Sequence, residues 1–508
     1  MPLNLEVPDW GLVFPQLIVF IMTILVPLLD AFLPKARQYT VITAVSLIGY
    51  GAALIALIWQ SGENKSTFSG LFRADGLTVF LSLSILVAAI LTVLTSASYV
   101  EHLEGKMPLG EFYTLLSFAV LGALITSAAG DMVMLYVGIE LSSLATYILT
   151  AFAKRRTTAL EGALKYFLLG LFASSILLYG MAWIYGSTGS TNIDTISSAI
   201  GVLVSGQEQR DASLLLGLLL VIVGLGFKIA AVPFHFWTPD AYDGAPTPVT
   251  GYMSMIPKAA GFAAIIRLVI QGLEPLSDDW TVLIAVLALI TMVFGNLVAV
   301  SQRNVKRMLA YSSIAHTGYM MAGFAAYRVT DGFSNVSDSG KLGVSSVLFY
   351  LLAYAFMNIG AFAIISWIQH RGRGMELEDF AGLGTTHPFP AAAMAVFLIS
   401  LMGIPPTIGF YAKYYVIVAL IEANLLWLAL AIVVMSAVSA FFYLRVVAVM
   451  YFQEGQESPV KFSTPMLNTG IAIIVVAVFV LGLFSGRIVD LANDWTGAFT
   501  VMATTVHP

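Results

Sequence analysis

The sequence predicts an all-α integral membrane protein of about 14 transmembrane helices, and three observations carry that expectation. Hydrophobic residues fill 59% of the 508 positions and charged ones only 10%, where a soluble domain carries about 25% charged residues. Apolar runs of roughly 20 residues, the length that crosses a bilayer as a helix, recur from Gly11 to about Arg487. These runs are continuous rather than alternating, which excludes a transmembrane barrel.

Taken in order, the expected spans are 11–33, 39–59, 76–98, 112–130, 131–153, 159–186, 212–236, 245–272, 280–300, 306–326, 343–369, 389–421, 424–452 and 468–487. The joints are short and carry turn or charge signals, as in Lys154-Arg155-Arg156 and Arg303-Asn304-Val305-Lys306-Arg307. No linker suggests a soluble domain. The first run lacks a basic leader and an A-x-A-like cleavage site, so it reads as a retained span. Three N-terminal spans occupy 1–111, spans four to eight occupy 112–272, spans nine to thirteen occupy 280–452, and the last span and tail occupy 453–508.

Cytoplasmic loops of membrane proteins carry an excess of Lys and Arg. Loops after odd-numbered spans hold Lys35, Arg37, Lys106, Lys154, Arg155, Arg156, Arg303, Lys306, Arg307, Arg371, Arg373 and Lys461, against Lys65, Arg73, Arg210, Arg328, Lys341 and Arg487 on the other side. That bias of twelve to six predicts both termini on the non-cytoplasmic side.

Several chemistries are excluded. With no cysteine, the chain cannot hold a thiolate-ligated iron–sulfur cluster, a Cys zinc site or a disulfide. No Gly-rich dinucleotide fingerprint follows a strand pattern and no phosphate-binding Gly-x-x-x-x-Gly-Lys-Ser/Thr occurs, so neither NADH binding nor ATP hydrolysis is expected here. The net charge of -5 is spread over short loops, with no basic face for nucleic acid.

What stands out is charge inside the spans: Lys165, Lys228, Lys258, Arg267, Lys413, Arg445 and Glu140. A charged side chain at the bilayer centre costs about 2.5–3.5 kcal/mol on insertion scales, so such groups face a bundle interior and mark an ion pathway. Two spans are also interrupted beside a lysine. Span seven reads Gly226-Phe227-Lys228-Ile229-Ala230-Ala231-Val232-Pro233-Phe234-His235, and span twelve reads Gly403-Ile404-Pro405-Pro406-Thr407 through Lys413. Proline removes a backbone donor and breaks the helix, and irregular backbone survives at membrane depth only inside protein or beside water.

Broken helices five spans apart point to inverted repeats, spans four to eight and nine to thirteen. Burial disfavours a charged lysine while a nearby carboxylate favours it, so moving Glu140 relative to Lys228 would load or release a proton. Lys165, Lys228, Lys258 and Lys413 are expected to form a hydrated row, with Lys165, near the start of its span, able to snorkel to the interface. His316 is a candidate relay, and His235 reads as an interfacial anchor. Arg267 and Arg445 read as structural, because an arginine does not release its proton.

At these residues a family comes into view. Gly138-Ile139-Glu140-Leu141-Ser142-Ser143-Leu144, Ala163-Leu164-Lys165-Tyr166-Phe167-Leu168-Leu169-Gly170 and Leu178-Tyr179-Gly180 resemble the subunit N family of proton-pumping NADH-quinone oxidoreductase, respiratory complex I. Phe227-Lys228 through Pro233-Phe234-His235-Phe236-Trp237-Thr238-Pro239-Asp240, with Gly244-Ala245-Pro246-Thr247-Pro248-Val249, is similar to the stretch shared by that complex's antiporter-like subunits and by cation/proton antiporters. The resemblance implies an antiporter-like fold in a bacterial plasma membrane that conducts protons while partner subunits, holding FMN, iron–sulfur clusters and quinone, pass electrons. By matching motif it places Glu140, Lys165, Lys228, Lys258 and Lys413 on the proton pathway. It implies no cofactor in this chain, and as partners the other membrane subunits of that complex. A sodium/proton antiporter subunit shares the broken-helix stretch and stays open as the alternative.

Overall fold

The structure, a computed structural model, describes residues 7–102, 109–205, 211–327, 329–330, 335–369, 372–455 and 465–497. Apolar residues cover every face of most segments, so in hydrocarbon each backbone group must find its partner within its own helix. The N-terminal unit is α1 (Phe14–Phe32), α2 (Lys35–Trp59), a hairpin of β1 (Lys65–Thr67) and β2 (Phe72–Ala74), and α3 (Gly76–His102). Then come α4 (Leu109–Ser127), α5 (Met132–Thr150), α6 (Thr157–Thr188), α7 (Ile193–Ser205), α8 (Ala212–Lys228), α9 (Trp237–Gly244), α10 (Thr247–Met253) and α11 (Ile256–Ala264), which runs on as a π-helical turn, Ile265–Gly272.

The second half holds α12 (Ser277–Ser301), α13 (Val305–Ala325), the short pair β3 (Val329–Thr330) and β4 (Asn335–Val336), α14 (Asp338–Gln369), α15 (Leu383–Thr386), α16 (Pro388–Met402), α17 (Ile408–Glu422) and α18 (Leu426–Phe452). The chain closes with α19 (Pro465–Leu483) and α20 (Ser485–Gly497).

Among the described residues, 11 helical segments are long and apolar enough to cross a membrane. The difference from the expected fourteen falls where the sequence is interrupted or polar. In span seven the helix stops at Lys228, after the 17 residues of α8, and the chain turns before α9, while span twelve is split into α16 and α17. The tenth, α13, is a full 21 residues but carries Lys306, Arg307, His316 and five Ser, Thr or Tyr side chains. Helices α7 and α20 lie between and after the expected spans.

Lipid supplies little force to press helices together, so close approach depends on small residues. A Cβ on Gly122 of α4 would stand 2.4 Å from the Ser142 nitrogen of α5, and one on Gly138 would stand 2.8 Å from that of Thr126. The α12–α13 pair crosses in the same way: Gly295 meets Ala315 at 2.5 Å and Gly318 meets Met292 at 2.5 Å. Within this frame the apolar central stretches of the α10–α11 segment and of α14 are wholly buried. Buried helices have no exposed face to leave polar, so a polar residue on them is answered by another polar group or by water.

Candidate functional site

The first break begins where α8 ends on Lys228. Ala230 takes the left-handed conformation, φ +62°, unfavourable for a residue with a Cβ and typical of functional sites that the surroundings hold in place. Several of the backbone groups freed by the break are answered by side chains. Trp237 Nε1 donates to the Phe227 carbonyl at 3.1 Å, Thr317 Oγ1 to the Ile229 carbonyl at 2.8 Å, and the Val232 amide to Thr291 Oγ1 at 3.0 Å.

The Lys228 ammonium has three donors and uses all of them. It reaches Glu140 Oε1 at 2.9 Å, Ser143 Oγ at 3.0 Å and Ser174 Oγ at 3.0 Å. Ser174 in turn donates to the same Glu140 oxygen at 2.6 Å, closing a ring of hydrogen bonds among α5, α6 and α8. Both charges are withdrawn from solvent, the lysine side chain 5% and the glutamate 17% exposed.

Beyond the break lies Lys258, in the first turn of α11 after Pro257. Its amine donates to the Ser313 carbonyl at 2.7 Å, Ser313 Oγ at 2.6 Å and Thr317 Oγ1 at 2.9 Å. Because Thr317 also holds the Ile229 carbonyl, one hydroxyl links the Lys258 amine to the peptide next to Lys228. His316, one residue before it on α13, is buried with Nδ1 2.7 Å from Tyr350 Oη and Nε2 3.3 Å from Tyr443 Oη. Tyr443 is itself hydrogen-bonded to Ser312.

The second break follows α16. Gly403 takes φ +92°, and a Cβ there would stand 3.2 Å from Lys413 Cδ, so only glycine fits. Lys413, five residues into α17, reaches back across the break to the Met402 carbonyl at 3.0 Å and lies 4.8 Å from the centre of the Tyr319 ring. Tyr319 is fixed by Asn296 Nδ2 on its hydroxyl at 2.8 Å. Helix α13 thus supplies Ser313, His316, Thr317 and Tyr319 between the two breaks, and Glu140, Lys228, Lys258, His316 and Lys413 fall along one polar row.

Lys165 stands apart. Its side chain is 45% exposed, 2.7 Å from Glu161 and 2.8 Å from Asp240, and Asp240 also meets Arg307 at 3.0 Å. Burial pushes the Asp240 carboxyl up, but its bonds to Lys165 and Arg307 outweigh that and hold it below the usual carboxylate range. Lys306, counted as a loop residue from the sequence, is a correction: it is 1% exposed and donates to the carbonyls of Asp243 at 3.1 Å and Ala245 at 2.5 Å. His235 is also more buried than an interfacial anchor, packed at 4.5 Å against Phe294.

Arg267 makes a two-pronged pair with Asp75, at 2.6 and 2.7 Å, and further bonds to Thr78 and the Ser127 carbonyl. Arg445 holds the Val300 and Gln302 carbonyls, at 3.1 and 2.5 Å. The sequence did not single out Ser143, Ser174, Ser313, Thr317, Tyr319, Tyr350 or Tyr443. Their one signal is hydroxyl enrichment in spans that are otherwise apolar.

Known proteins resemble this chain in sequence and fold. Residues 129–439 match the family model described as NADH:quinone oxidoreductase/Mrp antiporter, transmembrane. NADH-quinone oxidoreductase subunit N of Trichlorobacter lovleyi is 42% identical over 449 residues, 88% of either chain. The subunit N of Thioalkalivibrio sulfidiphilus is 39% identical over 500 residues, 98% of this chain and 100% of the other. Among solved structures, a chain of respiratory complex I from Thermus thermophilus with bound aureothin matches with a TM-score of 0.76 at 32% identity, over 94% of this chain and 99% of that one.

Proposed function

The chain belongs to the NADH:quinone oxidoreductase/Mrp antiporter family of transmembrane proteins, and from that premise we propose that it is the proton-translocating, non-redox subunit N of an NADH-quinone oxidoreductase. The observation that carries the reading is the Glu140–Lys228 pair, at 2.9 Å, beside a broken helix. Drawing the carboxylate away weakens the hold on the ammonium and frees its proton. Bringing it back reloads the amine. Thr317, Lys258 and His316 receive the proton in turn, and Lys413 is the far terminus; Lys165, half exposed, serves the row from its flank through Asp240.

The division into inverted repeats, residues 112–272 and 280–452, is supported by the matched glycine crossings of α4–α5 and α12–α13. FMN, iron–sulfur clusters and quinone belong to partner subunits in this reading. The chain sits in a bacterial plasma membrane beside the other membrane subunits of the complex, with both termini on the non-cytoplasmic side, as the Lys and Arg bias favours.

The family name also covers Mrp antiporters, which keeps a sodium/proton antiporter subunit as the second reading. Purification in mild detergent separates the two. Migration with flavin and iron–sulfur subunits, and NADH-driven proton uptake by liposomes carrying the complex, is the expected result. Sodium efflux without those subunits overturns it.

A further inference from the structure

Helix α14 carries polar groups that the row from Glu140 to Lys413 does not use. Tyr350, Tyr354 and Asn358 recur every fourth residue on one side of it, each turn advancing about 6 Å. Tyr350 is taken by His316. The other two are wholly buried, and neither the Tyr354 hydroxyl nor either end of the Asn358 amide has a hydrogen-bond partner among the described residues. Leaving a buried polar atom unpaired costs about 1–3 kcal/mol, and an amide orphaned at both ends is answered in such a place by water.

The position of these atoms is specific. The Tyr354 hydroxyl lies within reach of Ser313 and Asn358, but neither contact has the geometry of a good hydrogen bond, and a water molecule seated beside the three completes them. Its ring lies 5.9 Å from the Lys258 amine and 5.2 Å from the His316 ring. Ser313 is the residue that grips Lys258 through both carbonyl and hydroxyl. Eleven residues beyond Asn358, and so on the same side of the helix, Gln369 accepts a hydrogen bond from Thr247 at 2.6 Å. Thr247 is two residues from Ala245, whose carbonyl holds the buried Lys306. Between Asn358 and Gln369 stands Phe362, packed on Tyr242 at 6.3 Å.

We propose that Tyr354 and Asn358 are water-positioning residues holding a buried water cluster against Ser313, the wet inner end of a branch of the proton route. The branch leaves the row at Lys258, follows α14 toward the membrane face of Lys306 and Gln369, and passes its dry point at Phe362. The inference rests on the proton-pathway reading of Lys258.

The test uses the assembled complex in liposomes, reading protons translocated per NADH oxidised for Asn358→Leu, Asn358→Ser, Tyr354→Phe and Lys258→Ala. The branch predicts that Asn358→Leu loses proton yield to the extent that Lys258→Ala does, that Asn358→Ser, small and polar, recovers it, and that Tyr354→Phe loses part of it. A purely structural asparagine predicts the reverse, since an apolar side chain removes the unpaired amide. Parental yield in Asn358→Leu and Tyr354→Phe, with Lys258→Ala defective, discards the branch and leaves the Lys258 reading intact. Parental yield in Lys258→Ala as well discards both. If Asn358→Leu does not assemble, Tyr354→Phe, smaller by one oxygen, decides the matter alone.

Discussion

Replacing Glu140 by glutamine removes a charge and little else. The amide oxygen still accepts from Lys228 and Ser174, so the ring of hydrogen bonds among α5, α6 and α8 retains its shape. What is lost is attraction. At 2.9 Å and an effective dielectric of about 20, two unit charges attract by about 6 kcal/mol; at about 6 Å the figure is roughly 3 kcal/mol. The difference, about 3 kcal/mol, changes the balance between a proton held on the amine and one passed on by roughly a hundredfold. A displacement of the carboxylate on that scale would therefore be a sufficient lever for the proposed transfer, and Glu140→Gln deprives the site of it.

Lys228→Ala is harsher, because it leaves the carboxylate buried without a counter-charge, a loss of about 3–5 kcal/mol in stability. The double variant Glu140→Gln/Lys228→Ala is expected to be more stable than Lys228→Ala alone, a non-additivity that marks a coupled pair. The assay is proton uptake per NADH oxidised by the reconstituted complex, with thermal unfolding in detergent alongside. Both single variants should pump substantially fewer protons per electron. An unchanged ratio in both refutes the reasoning.

Three further outcomes follow from the geometry. Burial raises the Asp75 carboxyl, but the charge and hydrogen bonds of Arg267, with those of Thr78, outweigh it and bring it from 3.8 to about 2. Its stabilisation is thus complete above about pH 4 and lost as pH falls toward 2. Asp75→Asn should lower stability by about 3–5 kcal/mol near neutrality and flatten the acid side of the unfolding curve; an acid limb identical to the parent's contradicts the pairing. Gly403→Ala places a methyl group 3.2 Å from Lys413 Cδ at φ +92°, so it should cost about 1–3 kcal/mol, and an unshifted melting temperature argues against it. Thr317→Val removes the hydroxyl between the Lys258 amine and the Ile229 carbonyl; pumping should slow, with Thr317→Ser restoring it, and equal rates in both variants tell against that link.

The parts of this site that were legible in the sequence are those that violate the rules of a lipid-solvated helix. A lysine beside Pro233, another after Pro405-Pro406 and a glutamate in mid-span each carry a cost large enough to be read without coordinates, and the pairing of Glu140 with Lys228 followed from charge alone. The hydroxyls did not stand out, because a serine or threonine in a helix satisfies itself on the carbonyl four residues back, as Thr23 does on Val19 and Thr92 on Ala88. Nothing in the sequence distinguishes such a residue from Thr317, which bonds across helices. Periodicity was equally silent in α14, whose every face is buried. Lys306 was misplaced because its environment is tertiary: the carbonyls that bury it come from the end of α9, some sixty residues earlier. Lys165 was placed in the row by its position in an apolar span and by motif, with the interface within its reach; the two carboxylates that hold it near the surface of the chain were not foreseen.

The two breaks do more than admit polar groups; they turn helix ends into cation sites. A helix C-terminus carries about half a negative charge and supports a cation by typically 0.3–1 kcal/mol, more where partly buried. Lys228 lies in the last turn of α8, Lys413 binds the final carbonyl of α16, and Lys306 binds the carbonyls that close α9. Lys258 is the exception, in the first turn of α11, where the dipole opposes positive charge and where its contacts are Ser313 and Thr317 rather than a carboxylate. The row therefore has two ends that support an ammonium and a middle that supports it least. On the pathway proposed above, a proton given up at Lys228 would meet at Lys258 a station held only by a carbonyl and two hydroxyls, and those groups would decide which way it leaves.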